Sequence, residues 1–289
     1  MGAKLKAEEF KKLERDVYSQ NGEDGVIDWL FRQIEPRHRI CVEFGAWDGR
    51  TLSNTFNLVK HNGWKAVYVE ADARKFRALE KTAAAHPKIA PVHCLVAAAG
   101  DNSLDCILKR QNIPEDFDLL SIDVDGADYD IWEGMTRFRP ALVVIEHNPW
   151  IPPGIEYIDR GAQTFMGSSA TSLAGLAVTK GYGLLGCTFG NSFFLRNDIF
   201  NALNTQPQTI DNAFDRSVIC NVYLNHAGEI VFSNEATASS LRGVVYASFA
   251  KTFVRWLFRM PTLYVLGQPY PKESTLLKLL RRMISMVRS

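Results

Sequence analysis

The chain has 289 residues, of which 46% are hydrophobic and 22% are charged, and its formal net charge at pH 7 is +1. This composition is ordinary for a globular protein, and the near-zero net charge excludes a protein that is basic throughout and coats nucleic acid. The length allows one large domain or one domain with an appendage. Five scattered cysteines without a C-x-x-C pair favour buried, reduced thiols over disulfides or a zinc site. The first residues lack the apolar stretch of a signal peptide, and we expect a cytoplasmic location.

Residues 1–38 are predicted to form a helical cap. A polar, turn-rich stretch over 18–25 leads into apolar residues at helical spacing, and Pro36 ends that helix. The helix could lie across the sheet with only a structural role. Alternatively, Gln20 or Glu23 could lie beside a ligand.

Five apolar runs, each followed by a turn and polar residues, predict parallel strands joined by crossover helices. The runs cover 40–44, 66–70, 91–97, 117–122 and 140–146, and the first two helices are expected over 51–60 and 74–85. A further helix is predicted over 171–180. Strands over 182–187 and 191–196 follow, and the Gly190 turn between them makes the last strand antiparallel. Residues 39–200 are therefore expected to form an α/β core with a seven-stranded, mostly parallel sheet.

The proline-rich run after the fifth strand predicts an ordered loop, and we expect residues 149–169 to form a flap that faces the substrate. Residues 201–240 give little information and form an extension of uncertain structure. Residues 241–289 hold nine Lys and Arg against one Glu, a charge of +8, which leaves −7 for the rest of the chain. Lys251, Arg255 and Arg259 repeat at four-residue spacing and predict a basic amphipathic helical tail. The tail suits peripheral contact with an anionic membrane; packing on the domain or an oligomer contact is the alternative. Nucleic acid is not expected as a partner.

The first strand is followed by the turn Gly45-Ala-Trp-Asp-Gly49. Its glycines let the backbone approach a ligand closely, because a Cβ there would clash. Trp47 occupies the second glycine position of a G-x-G-x-x-G fingerprint, which counts against a dinucleotide site. Glu70 ends the second strand, where a carboxylate can accept both hydroxyls of a ribose. Asp72 is placed to cap the next helix.

Four stretches of the chain together resemble the FkbM-type methyltransferases, Rossmann-like enzymes that use S-adenosylmethionine. They are residues 18–25, 42–49, 118–126 and 132–134, and the resemblance covers roughly 18–196. It implies that Glu43, Gly45 and Gly49 surround the methionine part of the cofactor and that Glu70 holds the ribose. The predicted cofactor site also includes Gln20, Asp48 and Asp123. The family commonly has Asp-Val-Glu-Gly where this chain has Asp123-Val-Asp-Gly126, which changes the reach of the acid.

Methyl transfer to a hydroxyl needs close positioning and a group that weakens the O–H bond. In one hypothesis Asp123, Glu146 and Asn148 hold Mg²⁺ through oxygen ligands. That layout is similar to the catechol O-methyltransferases, in which an acid after strand four joins an Asp-Asn pair after strand five. In the other hypothesis His147 is a metal-free general base, because its unperturbed pKa lies near working pH. A purely structural role is the remaining interpretation of His147. The predicted catalytic residues are thus Asp123, Glu146 and His147.

The sequence therefore predicts an S-adenosylmethionine-dependent methyltransferase, acting on a hydroxyl of a sugar, glycolipid or natural product. Its expected partner is a small-molecule or glycan acceptor, and an oligomer remains open. One alternative is an NAD(P)-dependent oxidoreductase on a similar sheet. Another is a non-catalytic Rossmann-like module that the basic tail recruits to a membrane.

Overall fold

A computed structural model of the chain describes residues 7–124, 126–160, 167–203 and 205–219, together with the short segments 222–224, 230–232, 263–265 and 268–269. The chain divides into two compact units, Met1–Arg216 and Ser217–Ser289. The first unit contains the sheet predicted from the sequence and all residues of the predicted site.

The first unit is built on a seven-stranded sheet. Its strands are β1 Ile40–Phe44, β2 Lys65–Glu70, β3 Ile89–His93, β4 Leu119–Ile122, β5 Leu142–Glu146, β6 Tyr182–Cys187 and β7 Asn191–Arg196. They lie in the order β3-β2-β1-β4-β5-β7-β6. The first five strands pair in parallel, and β7 is antiparallel to both of its neighbours. This confirms the predicted sheet and its reversed last strand.

Helices cover both faces of the sheet. They are α1 Ala7–Lys11, α2 Glu23–Gln33, α3 Phe56–His61, α4 Ala73–Ala85, α5 Leu104–Arg110, α6 Asp128–Gly134, α7 Ala170–Thr179, α8 Asn197–Ala202 and α9 Ile210–Ala213. Because successive side chains of a strand point to opposite faces, each strand contributes side chains to two separate hydrophobic cores. One core packs α2, α3 and α4 against residues such as Val144, and the other packs α5, α6 and α7 against residues such as Ile145.

Some element boundaries differ from the prediction. Helix α3 begins at Phe56 instead of residue 51, because residues 53–55 are bound to Glu43 before the helix starts. The hydroxyls of Ser53 and Thr55 donate hydrogen bonds to the Glu43 carboxylate. Strand β3 ends at His93, four residues earlier than expected. The predicted cap of α4 is confirmed, since the Asp72 carboxylate accepts hydrogen bonds from the backbone N–H groups of the first turn.

The strand order with one reversed strand next to the edge is the Rossmann-like methyltransferase fold. In the second unit the described segments β8 Val222–Leu224, β9 Ile230–Phe232, β10 Leu263–Val265 and β11 Gln268–Pro269 form a four-stranded sheet in the order β11-β10-β9-β8. The helices predicted in the basic tail lie outside the described residues. Among the helices that are described, none has the length and apolar character needed to span a bilayer.

Candidate functional site

Four acidic residues lie at the carboxyl ends of four consecutive strands. The strand order places Glu70 on β2, Glu43 on β1, Asp123 just after β4 and Glu146 on β5, in that sequence along one edge of the sheet. The register aligns the last residues of these strands, with Phe44 paired to Ile122 and Ile122 to Ile145. In a parallel sheet this edge is where ligands bind. The structure thus places the strand ends that carry the predicted acids next to one another.

The turn after β1 comes very close to the chain after β4. Gly45 has φ +69°, and a Cβ added to it would lie 1.8 Å from the carbonyl oxygen of Asp123. Gly49 has φ +76°, and a Cβ there would lie 2.6 Å from Leu79 Cδ1. Only glycine fits at either position, both for conformation and for space. The Asp48 carboxylate accepts the backbone N–H groups of Arg50 at 3.0 Å and Thr51 at 2.7 Å, so Asp48 stabilises this turn from within.

Glu70 joins the turn after β1 to the loop after β2. Its carboxylate accepts the backbone N–H of Trp47 at 2.9 Å through Oε2 and that of Asp72 at 2.7 Å through Oε1. Each carboxylate oxygen can accept a second hydrogen bond, so two ribose hydroxyls could still donate to Glu70. Trp47 itself adopts φ 48°, a left-handed conformation that is unfavourable for a bulky residue. The nucleoside end of the predicted site therefore has a fixed carboxylate and a strained aromatic residue.

Glu43 is buried, and its carboxylate binds the segment that follows the turn. Its Oε2 accepts the hydroxyls of Ser53 at 2.8 Å and Thr55 at 2.5 Å, and its Oε1 accepts the backbone N–H of Asn54 at 3.3 Å. Burial raises the pKa of Glu43 to about 7, because the charged form loses water contact that these donors only partly replace. Glu43 thus supports residues 53–55 and, through them, the start of α3.

His147 lies on the opposite face of the sheet from Glu146. Strand alternation turns consecutive side chains to opposite sides, and the His147 ring packs against Phe214 at 5.4 Å between ring centroids. Its Nδ1 is 3.0 Å from the Ser192 hydroxyl, and the side chain is only 1% exposed. Burial lowers the pKa of His147 to about 3, so the ring is neutral. The structure separates His147 from the acids, which favours its structural interpretation.

Asn148 directly precedes residues 149–169, the predicted flap, and its side chain stabilises the first turn of that segment. Its Oδ1 accepts the backbone N–H of Trp150 at 3.0 Å, and its own N–H donates to the carbonyl of Ser168 at 2.9 Å. The part of the chain that the structure describes contains no group of three or more His, Cys, Asp or Glu residues that could hold a metal ion. The predicted set has two carboxylates, on Asp123 and Glu146, and the Asn148 amide oxygen, which can accept a second interaction besides its hydrogen bond to Trp150. Asp123, Glu146 and Asn148 therefore stay predicted Mg²⁺ ligands.

The polar stretch before α2 is fixed to the hairpin between β6 and β7. Glu23 is fully buried and accepts the Thr188 hydroxyl at 2.7 Å, the Asn191 side-chain N–H at 3.0 Å and the Asn21 backbone N–H at 2.9 Å. Gln20 is exposed at the surface of this stretch. Thr188 and Asn191 were not predicted as site residues, because nothing local in the sequence relates them to a carboxylate more than 160 positions away.

Asp128, the first residue of α6, binds the backbone of the loop that precedes it. Its carboxylate accepts the backbone N–H groups of Val124 and Gly126, both at 2.9 Å. The side chain is fully buried. Asp128 thereby fixes the loop that follows β4 and carries Asp123.

No protein-family model matches the chain, and no curated protein matches it either. Among solved structures, the chain is similar to the CMeT domain of the citrinin polyketide synthase, with 14% identity over 63% of this chain and 55% of that one and a TM-score of 0.43. It is also similar to the N-terminal domain of EvdMO1 with SAH bound, with 13% identity, coverage of 62% and 81% and a TM-score of 0.40. A SAM-dependent methyltransferase from Aquifex aeolicus aligns with 10% identity, coverage of 66% and 97% and a TM-score of 0.38. The chain thus spans little more than half of the polyketide synthase domain. Likeness at this level concerns the fold and carries no information on activity.

Proposed function

We propose that this chain is an S-adenosylmethionine-dependent methyltransferase of the FkbM type that methylates a hydroxyl of a sugar, glycolipid or natural product. The observation that carries the proposal is the convergence of Glu70, the Gly45–Gly49 turn and Asp123 on neighbouring strand ends of this fold. The motif resemblance and the absence of a dinucleotide fingerprint point the same way.

The residues around the turn suit the parts of this cofactor. Glu70 would accept the two ribose hydroxyls, and the close contact of Gly45 with the Asp123 carbonyl would hold the turn beside the end of β4, where the methionine portion would lie. Glu43 and Asp48 would act indirectly, by fixing the turn and the segment that follows it. Gln20 is placed at the surface and is the least supported member of the predicted set.

S-adenosylmethionine would supply a methyl group on a positively charged sulfur, and the protein would have to position the acceptor oxygen in line with the departing sulfur. Asp123 and Glu146 end neighbouring strands and could orient the acceptor hydroxyl and accept its proton as the new C–O bond forms. His147 is left out of this proposed catalytic set, because its buried ring lies on the other face.

Calorimetric titration of the full chain with S-adenosylhomocysteine, with and without Mg²⁺, tests the proposal. We expect binding by the natural chain and a loss of about 10- to 100-fold in affinity for Glu70→Gln, the range for a hydrogen bond to a charged group. The matched control is Glu80→Gln on the exposed side of α4, which should bind as the natural chain does. Absence of binding in both conditions would refute the proposal.

The same titration with NAD addresses the alternative enzyme. Tight binding of NAD without binding of S-adenosylhomocysteine would favour an oxidoreductase. The proposed partner is a small-molecule or glycan acceptor. We further propose that residues 241–289, with their charge of +8, contact an anionic membrane surface.

A further inference from the structure

Trp47 has a backbone conformation that bulky residues rarely adopt. Among the described residues, those that have a positive φ without being glycine are Arg39, Trp47, Leu52 and Asn112. Asparagine tolerates this left-handed region, whereas a tryptophan there strains the backbone. Such strain persists only where the surrounding structure enforces it, and it is typical of residues that hold a ligand. The strain at Trp47 therefore needs an explanation in folding or in binding.

Folding does not explain it, because the Trp47 side chain contributes little to the packed interior. Trp47 belongs to neither of the two hydrophobic cores, and 44% of its surface is exposed, although a buried tryptophan would remove a large apolar area from water. Its indole ring contacts Lys75, whose Nζ lies 5.5 Å from the ring centroid. A cation–π contact between two exposed side chains is weak. Binding remains as the explanation for a strained, exposed aromatic residue.

Two contacts define where the ring lies. The Trp47 backbone N–H donates to Glu70 Oε2 at 2.9 Å, and Lys75 belongs to the first turn of α4, just after the loop that Glu70 binds through Asp72. The ring therefore lies between the turn after β1 and the start of α4. This position is next to the carboxylate that is proposed to hold a ribose, and the exposed part of the indole is open to a ligand there.

We propose that Trp47 is a further cofactor-binding residue, and that its indole ring packs against the nucleoside whose ribose Glu70 holds. The inference rests on the proposed function. Purine bases have flat faces that stack on aromatic rings, and an indole beside the ribose carboxylate lies within reach of such a base. The strained backbone fixes the position of the ring before the ligand arrives, so binding has less conformational freedom to remove.

Calorimetric titration of the full chain with S-adenosylhomocysteine and with 5′-methylthioadenosine tests the inference. The second compound has the same nucleoside but lacks the amino acid portion. Trp47→Leu keeps an apolar side chain without a ring, and we expect it to lose about 5- to 100-fold in affinity for both compounds, by the same factor. Tryptophan emission should change when the natural chain binds either compound, and most of that change should be absent in Trp47→Leu.

Glycine substitutions separate the strain from the binding. Trp47→Gly removes both the ring and the strain, so it should lower the affinity for S-adenosylhomocysteine as Trp47→Leu does while raising the urea midpoint of unfolding. The matched control is Arg39→Gly, which relieves a φ of 54° directly before β1, at the opposite edge of the sheet. It should also raise the urea midpoint, and its affinity should stay within about twofold of that of the natural chain.

Three results would overturn the inference while the proposed function stands. The first is an affinity of Trp47→Leu for S-adenosylhomocysteine within about twofold of the natural value. The second is a loss seen with S-adenosylhomocysteine but not with 5′-methylthioadenosine, which would place the ring at the methionine portion. The third is a lower urea midpoint for Trp47→Gly, which would show that the ring serves the fold. Failure of the natural chain to bind S-adenosylhomocysteine would instead refute the proposed function, and this inference with it.

Discussion

Burial changes the pKa of two side chains in opposite directions. It raises the pKa of Glu43 to about 7 and lowers that of His147 to about 3, because in each case the charged form is the one that loses water. A pKa that differs between the folded and unfolded chain makes stability depend on pH. The two residues therefore contribute opposite slopes, His147 between pH 3 and 6.5 and Glu43 between pH 4.5 and 7.

For His147 we expect a contribution that is complete above pH 6.5 and is lost as the pH falls from 6.5 towards 3, since the unfolded chain then binds the extra proton. The slope is at most about 1.4 kcal/mol per pH unit. Urea unfolding at a series of pH values should show that acidification lowers the free energy of unfolding less for His147→Gln than for the natural chain. His61→Gln, at an exposed histidine, is the control. Equal slopes for His147→Gln and the natural chain would contradict the prediction.

Glu43 should behave in the reverse way. Its folded pKa lies above the ordinary 4.5, so the folded chain binds the extra proton, and its contribution is complete below pH 4.5 and lost as the pH rises towards 7. Glu43→Gln stays neutral and should flatten this decline in the same urea experiment, by up to about 1.4 kcal/mol per pH unit. A steeper decline in the variant would show that Glu43 is charged in the folded protein at low pH.

At the scale of elements, the turn after β1 depends on glycine. In Gly45→Ala the new Cβ would meet the carbonyl oxygen of Asp123 at 1.8 Å and would also occupy a left-handed conformation. We expect a loss of about 2 kcal/mol or more in the free energy of unfolding, measured in urea, and loss of S-adenosylhomocysteine binding. Gly175→Ala is the matched control: no atom lies within 4 Å of its added Cβ, and it sits inside α7. It should stabilise the protein by about 0.5–1 kcal/mol.

The contact between α2 and the β6–β7 hairpin depends on Glu23. Removing this buried carboxylate leaves Thr188 and Asn191 without their acceptor, so Glu23→Ala should cost about 2–4 kcal/mol of stability. Hydrogen exchange should show faster exchange of the amides at 188–192. Thr188→Val breaks one of the three hydrogen bonds and should have a smaller effect. A loss below about 0.5 kcal/mol for Glu23→Ala would mean that other contacts hold the hairpin.

Periodicity in the sequence was enough to predict the strands, their parallel arrangement and the reversed β7, because each strand is a short apolar run bounded by turn residues. It also placed Glu70 and Asp123 at one edge. His147 was grouped with Glu146 only by its position at the strand end, although strand alternation indicates that consecutive side chains point to opposite faces. Periodicity also did not predict the hydrogen bonds from Ser53 and Thr55 to Glu43. Such contacts shift the start of a helix along the chain but leave no local pattern in the sequence.

The division of the whole molecule into two compact units separates the predicted cofactor site from the basic segment. The change to a basic composition begins after residue 240, and the first compact unit ends at Arg216. Both hydrophobic cores lie within the first unit, and so do all residues of the proposed cofactor site. Cofactor binding and membrane attraction are therefore assigned to different parts of the chain.

This division predicts the behaviour of a fragment that ends at Arg216. Because it retains both cores and the whole seven-stranded sheet, we expect it to unfold cooperatively in urea and to bind S-adenosylhomocysteine within about threefold of the full chain. Its partition onto anionic vesicles should fall by about tenfold or more, because the basic segment is gone. A fragment that folds but no longer binds the cofactor product would show that residues beyond 216 complete the site. Undiminished vesicle binding would show that the basic segment contributes no attraction.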